Sequence, residues 1–293
     1  MKKKVILDTD MFNEIDDQFA LTYLMTSLDT FDVEAITIAP FFNSGYAKAN
    51  TIEEGTEKSY DRTLEILDMI GMSEYKKKVY KGAVKYTTDS METNDAVDKI
   101  IDICLKNDKT YIIAIGAITN VALAINKEPK IIDRIEIIWL GGNAPWIGQN
   151  KEFNFKQDIN GVKMVFNSKV KLTVIPCRGV ASHLITTTYE LRHYLDNSKI
   201  GKFLTDNFEK LKKHYFTSEE DELGNSKTLW DLSAVAYLIN EDWFKTEDIS
   251  CPNILEDGRY ESTIDKHKIT FAIDIFRNKI FNDYFKKMKQ FEK

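Results

Sequence analysis

Five short apolar runs punctuate the first 175 residues, and their continuity constrains the fold more than any other feature. Val5-Ile6-Leu7, Val33 to Pro40, Tyr111 to Ile115, Ile135 to Leu140 and Leu172 to Ile175 are hydrophobic almost without interruption. A strand with one wet face alternates polar and apolar residues. Unbroken apolar runs instead point to strands covered on both sides, as in a parallel sheet between helices. Segments with helical patterning separate them: Asp16 to Leu28, Glu53 to Met69, Asp95 to Leu105, Thr119 to Ile125 and Asn160 to Phe166. This βαβα order predicts an α/β fold built on an open, mainly parallel sheet. Beyond about residue 187 the chain becomes more helical and charged, from Tyr189 to Tyr215, and Thr217 to Lys227 reads as a mobile loop. An apolar helix begins near Asp231, a strand-like Ile269-Thr270-Phe271 follows, and a basic amphipathic helix runs to Lys293. No linker divides the chain, so residues 1–293 are expected to form a single domain.

Composition excludes several classes. The 46 acidic residues against 40 basic ones, net charge −6, leave no positive excess to neutralise phosphates, so a nucleic-acid partner is not expected. Met1-Lys2-Lys3-Lys4 resembles the start of a signal peptide, but the apolar run behind it falls short of the ~7–15 residues required. The longest uncharged stretch, Thr110 to Asn126, is shorter than the ~20 apolar residues of a membrane span. Three cysteines without CxxC spacing indicate neither a disulfide framework nor structural zinc. A soluble cytoplasmic protein with no membrane partner is expected.

The chemistry concentrates where the first strand ends. Asp8, Asp10, Glu14, Asp16 and Asp17 place five carboxylates within ten residues. Open α/β sheets bind ligands beyond the carboxyl ends of their strands. So many acids there repel one another unless a cation or protons compensate, and oxygen-only ligands favour calcium or magnesium. Helix capping accounts for one or two of these acids but not for Asp8 and Asp10. The Asp-Thr-Asp after an apolar strand also resembles the first motif of haloacid-dehalogenase-type phosphatases, magnesium enzymes whose first Asp attacks phosphorus; Phe12 and the Asp16-Asp17 pair depart from that pattern.

Asp8-Thr9-Asp10 followed by Asp16-Asp17 resembles the amino-terminal signature of the inosine–uridine-preferring nucleoside hydrolase family, with two extra residues between the second and third acids. Further segments resemble that family in order: Gly116-Ala117-Ile118-Thr119-Asn120-Val121-Ala122, Gly141-Gly142-Asn143 with Glu152-Phe153-Asn154, and Trp230-Asp231-Leu232-Ser233-Ala234-Val235-Ala236. The resemblance implies a Rossmann-like core and calcium-dependent hydrolysis of the N-glycosidic bond of ribonucleosides to ribose and free base. Asp10, Asp17, Asp231 and the Ile115 carbonyl would hold calcium, and Asp10 would be the general base on a metal-bound water. Asp16, Glu152 and Asn154 would bind the ribose hydroxyls. Asn43, at the end of a strand from Ala35 to Phe42, and Asn143 would assist. A homodimer or homotetramer is implied likewise.

Departures concern the leaving group. Trp230 stands where many members have His, and no His occurs between Gly82 and Asp95. Of the four histidines, only His183 is a candidate to approach the cleft. Base departure therefore falls to stacking on Trp230 or Tyr86, to protonation by Glu14, or to Cys177, whose neighbour Arg178 would lower its pKa. Missing histidines also leave open a non-catalytic nucleoside or ribose binder.

Overall fold

The computed structural model describes residues 2–45, 47–215 and 226–292. Its strands are β1 (Lys3–Thr9), β2 (Phe31–Ile38), β3 (Val79–Tyr80), β4 (Thr110–Ala114), β5 (Ile135–Leu140), β6 (Lys171–Ile175), β7 (Ile185–Thr187), β8 (Ser226–Thr228), β9 (Phe244–Ser250), β10 (Asn253–Ile254), β11 (Tyr260–Glu261) and β12 (Lys268–Ile275). The helices are α1 (Asp16–Met25), α2 (Ile52–Met69), α3 (Asp95–Lys106), α4 (Thr119–Lys127), α5 (Phe153–Gln157), α6 (Ile159–Asn167), α7 (Thr188–Leu195), α8 (Lys199–Tyr215), α9 (Leu232–Ile239) and α10 (Arg277–Met288).

Eight strands form one sheet in the order β3-β2-β1-β4-β5-β6-β12-β9, parallel except for the β12–β9 pair. The first six follow the 3-2-1-4-5-6 order of a dinucleotide-type α/β sheet, in which the chain reverses its winding between β1 and β4. An apolar cluster fills each face. One contains Leu7, Phe19, Ile113, Val235 and Tyr284; the other contains Ile6, Ile112, Trp139, Phe155 and Phe271. Side chains of adjacent residues point to opposite faces, which is why Ile6 and Leu7, or Ile112 and Ile113, are divided between the clusters. The continuous apolar runs have this origin. No helix among the described residues is long and apolar enough to cross a membrane.

Several boundaries differ from the sequence expectation. Strand β2 ends at Ile38 rather than near Pro40 or Phe42, so Asn43 lies in a loop, bridged to Ala49. Helix α1 stops at Met25, where Thr22, Thr26 and Ser27 hydroxyls bond carbonyls of the preceding turn. Most of the expected loop from Thr217 to Lys227 lies outside the described residues, but Ser226 and Lys227 belong to β8, paired antiparallel with β7.

A buried polar knot locks the strand ends. The Asn120 amide donates to Asp8 Oδ1 (2.9 Å) and the Ile38 carbonyl (2.9 Å), and its oxygen accepts from the Ala83 amide (2.9 Å). One side chain thus joins α4 to β1, β2 and the segment after β3. Asn120→Ala removes this partner from the Ile38 carbonyl and the Ala83 amide, leaves Asp8 Oδ1 with Thr37 Oγ1, and is expected to destabilise the fold by about 3 kcal/mol in urea unfolding. A loss below about 1 kcal/mol would show that the knot is dispensable.

Candidate active site

The switch between β1 and β4 opens a crevice at the carboxyl ends of both strands. Asp10 follows β1, and Ile115 follows β4. Gly116 allows their close approach, because a Cβ there would lie 2.8 Å from Ala39 Cβ and 3.2 Å from Asp10 Oδ1. Helix α1 starts at Asp16 and packs against α9, which brings Asp231 from more than two hundred residues away. A cavity of about 430 Å³ results, lined by Asp10, Asn13, Glu14, Asp16, Asp17, Ile115, Asn143, Glu152, Asn154, Cys177, Trp230 and Asp231, among others. Its size suits a small organic ligand.

Its floor is acidic and buried. Carboxylate oxygens of Asp16, Asp17 and Asp231 lie within 4.8 Å of one another. Burial first, then neighbouring carboxylates, push Asp17 up to about 7 and raise Asp10 and Asp231 well above the usual range. Burial pushes Asp16 up to about 6 against the opposing pull of Lys227. The four carboxyls differ in support. Asp17 accepts from Thr9 Oγ1 (2.5 Å), Asp16 faces Lys227 Nζ (3.8 Å), and Asp10 Oδ2 is buried without a hydrogen bond. Asp231 occupies the N-cap position of α9 but makes no side-chain capping bond, which leaves its carboxyl to the pocket. Neither Asp16 nor Asp17 is an N-cap either; that position is Ile15.

This donor set fits a hard divalent cation. It offers carboxylate oxygens with no imidazole, a carbonyl at Ile115, and an orphaned oxygen on Asp10. The Ile115 carbonyl accepts from Asn154 Nδ2 (3.0 Å) and retains a second lone pair.

The opposite wall is preorganised by backbone amides. Glu152 caps α5, accepting from the amides of Asn154, Phe155 and Gly142, each at 2.9 Å. Asn154 Nδ2 bridges the carbonyls of Ile115 and Leu140, so it spans the ends of β4 and β5. Asn143 lines the cavity and makes three hydrogen bonds to two loop segments, at residues 149–150 and at Arg178. Asn43 does not line it; its amide instead donates to Asn13 Oδ1 (2.9 Å), one step back.

Several residues stand differently from their sequence reading. Tyr86 is outside the cavity lining, its hydroxyl donating to Gln157 Oε1. Cys177 lines the cavity, but burial and Glu152 push its thiol up, overriding any lowering by Arg178. His183 is away from the lining, with Nδ1 3.9 Å from Asp274. Glu14 lines the cavity in an ion pair with Lys227 (2.5 Å). Asp8, the phosphatase-type nucleophile, is fully buried behind the cavity and accepts from Thr37 Oγ1 (2.7 Å) and Asn120 Nδ2. A nucleophile needs access to its substrate, so the phosphatase expectation is corrected here.

Sequence reasoning passed over Asn13, Gln149, Lys151 and Lys227, and read Arg178 only as a neighbour of the Cys177 thiol. Asn13 belongs to the two-residue expansion after Asp10, where its amide closes a turn onto the Asp10 carbonyl (2.7 Å). That expansion was its only sequence signal.

Comparison with known proteins identifies the family and the fold. The family model described as "Inosine-uridine preferring nucleoside hydrolase" matches residues 5–279. An inosine-uridine preferring nucleoside hydrolase from Leishmania major is 28% identical over 179 residues, 57% of this chain and 55% of that protein. A pyrimidine-specific ribonucleoside hydrolase from Shigella flexneri serotype 5b is 28% identical over 166 residues, 55% of this chain and 52% of that protein. The match thus spans a little over half the length of these curated relatives. The solved purine-preferring ribonucleoside hydrolase from Gardnerella vaginalis is 24% identical, covers 99% of both chains and superposes with a TM-score of 0.81, a likeness of fold. With nearly its whole length matched, this chain belongs to the inosine-uridine preferring nucleoside hydrolase family.

Proposed function

We propose that this protein hydrolyses the N-glycosidic bond of ribonucleosides, with calcium held by Asp10, Asp17, Asp231 and the Ile115 carbonyl. One observation carries the reading: buried carboxyls from residues 10, 16, 17 and 231 converge beneath a nucleoside-sized cavity with an indole on its wall. When bound, the cation would offset the clustered negative charge and make a coordinated water more acidic.

Hydrolysis joins a water oxygen to the anomeric carbon, breaks the carbon–nitrogen bond and sends its electron pair to the base. Charge develops on the ribosyl ring, as in other glycoside cleavages. Asp10, whose carboxyl lines the cavity, accepts the water's proton. Asp16 and Glu152 accept from ribose hydroxyls. Asn154 keeps Oδ1 for a hydroxyl while its amide grips the two strand ends. Trp230, half-buried on the cavity wall, offers its face to the leaving base. Glu14 is already engaged by Lys227, which argues for Trp230 over Glu14 at the leaving group. The relatives' names cover inosine-uridine, pyrimidine and purine preferences, so none transfers to this chain.

Purified protein incubated with a nucleoside panel, with and without chelator, tests the reading. Release of free base and reducing sugar that stops with chelator and returns with calcium is expected. Tight nucleoside binding without release, even from nitrophenyl riboside, would instead establish a non-catalytic binder. Asp10→Asn should lower kcat at least ~10³-fold while the melting temperature is unchanged or higher, since one buried charge is removed. Near-normal kcat would reject Asp10 as base. Trp230→Ala should reduce kcat/KM for natural nucleosides more than for nitrophenyl riboside; equal losses would remove Trp230 from leaving-group activation.

The raised carboxyls also set a stability profile. Their folded-state pKa values exceed the unfolded value, so without cation the folded state favours protons over charge. Stability is then fullest below about pH 4 on this account and declines as pH rises through about 6 to 7. Protein stripped with chelator should melt at least ~5 °C lower at pH 7.5 than at pH 5, and calcium at pH 7.5 should restore most of the difference. A melting temperature independent of calcium would contradict the cation site.

A further inference from the structure

Among the described residues, two cations on the cavity wall hold no anion. Lys151 and Arg178 both line the pocket and are exposed. Neither side chain has a hydrogen bond or ion pair among the described residues. For Arg178 this is unusual within the molecule. Arg62, Arg192, Arg259 and Arg277 are in ion pairs, and Arg134 donates to the Leu105 carbonyl.

The backbones beneath these head groups are well anchored. Arg178 donates its amide to Asn143 Oδ1 (3.3 Å), and its carbonyl accepts from Ala144 (3.0 Å). Gly179 follows at φ +95°, against Ala144 so closely that a Cβ would come within 2.7 Å of it. Asn143 reaches the other loop as well. Its amide nitrogen bonds the Gln149 carbonyl (3.2 Å) and its backbone N–H bonds Asn150 Oδ1 (2.7 Å), just ahead of Lys151. One buried asparagine therefore fixes both cation-bearing segments at the same rim.

A cation meant only to offset the acidic floor would sit on it, as Lys227 does against Glu14 and Asp16. Arg178 and Lys151 do not. Even Glu152, adjacent to Lys151, turns its oxygens to three backbone amides. A free guanidinium presents several donors in a planar fork suited to phosphate or carboxylate, and a free ammonium adds a point charge. We propose that Arg178 and Lys151 bind an anionic substituent on the riboside: a phosphate on the sugar's 5′ carbon or a carboxylate on the base. This inference rests on the hydrolase reading for its substrate and adds a substrate class to it.

Uridine, uridine 5′-monophosphate and a uridine carrying a carboxylate on its base separate the possibilities, each measured by calorimetric binding and by kcat/KM with calcium present. One anionic ligand should exceed uridine at least tenfold in both, and which one does so identifies the source of the anion. Arg178→Gln should cut that ratio about tenfold and Lys151→Gln about threefold. Arg178→Lys should retain part of it, and the ratio should shrink in high salt. Equal performance of all three ligands, or a preference that survives Arg178→Gln in protein with a normal melt, would overturn the proposal. Anion-preferring binding with no free base released from any ligand would sink the hydrolase reading while keeping the anion site. No binding of any of the three, nor of inosine and inosine 5′-monophosphate, would overturn both.

Discussion

Carboxylates brought together out of water set the terms for this structure. A buried charge costs several kcal/mol even after relaxation, and close like charges raise that cost. Asp10, Asp16, Asp17 and Asp231 are nonetheless all nearly inaccessible and share one floor. Such a cluster persists only where the scaffold over-determines it. Here the scaffold is a sheet buried on both faces, whose strands β1 and β4 can hardly shift without disturbing two apolar clusters at once. The proposed cation would turn the same repulsion into affinity, because acids that cannot ionise alone ionise readily around a divalent charge.

The polar apparatus behind the floor serves that over-determination. Asp8 is the carboxylate that never reaches the cavity; Asn120 and Thr37 hold it between β1 and β2. Asp158 does comparable work further along, accepting from the hydroxyls of Thr87 and Thr119 and the amide of Gly161. These acids tie loops to strand ends. The two aspartates of the Asp8-Thr9-Asp10 motif thus do different work, although the sequence presents them as alike.

Much of this was legible because strand burial and strand-end chemistry write themselves into short local patterns. The apolar runs predicted the parallel sheet, and the acids after β1 marked the crevice. Asp231 was different: nothing local distinguishes it from a helix cap, and only its resemblance-bearing context, Trp230 to Ala236, brought it to the site. Asn43 was placed on a strand end because Ala39 to Phe42 is apolar, yet β2 stops at Ile38, Ala39 and Phe41 are buried beyond it, and Phe42 is exposed. Lys151 and Lys227 were passed over, and Arg178 was read only as a neighbour of Cys177, for a common reason. A charged residue in a loop looks solvated until its fold neighbours are known, and their opposite fates, two free and one clamped, depend wholly on tertiary packing.

The four floor carboxyls are chemically identical, so any division of labour among them must come from their partners. Thr9 donates to Asp17, and Lys227 faces Asp16; each contact stabilises charge on the acid it touches and orients it. A group tied in this way suits a fixed task such as holding an ion or a hydroxyl. Asp10 Oδ2 has no such tie, although it is buried as deeply. The proposed cation would supply the partner that this oxygen lacks. The proposed role of Asp10 as proton acceptor rests on its place in the Asp8-Thr9-Asp10 motif, through the family resemblance that motif carries. At the rim, partners separate Lys227, which already has its carboxylates, from Arg178 and Lys151, whose charges stay available to a ligand.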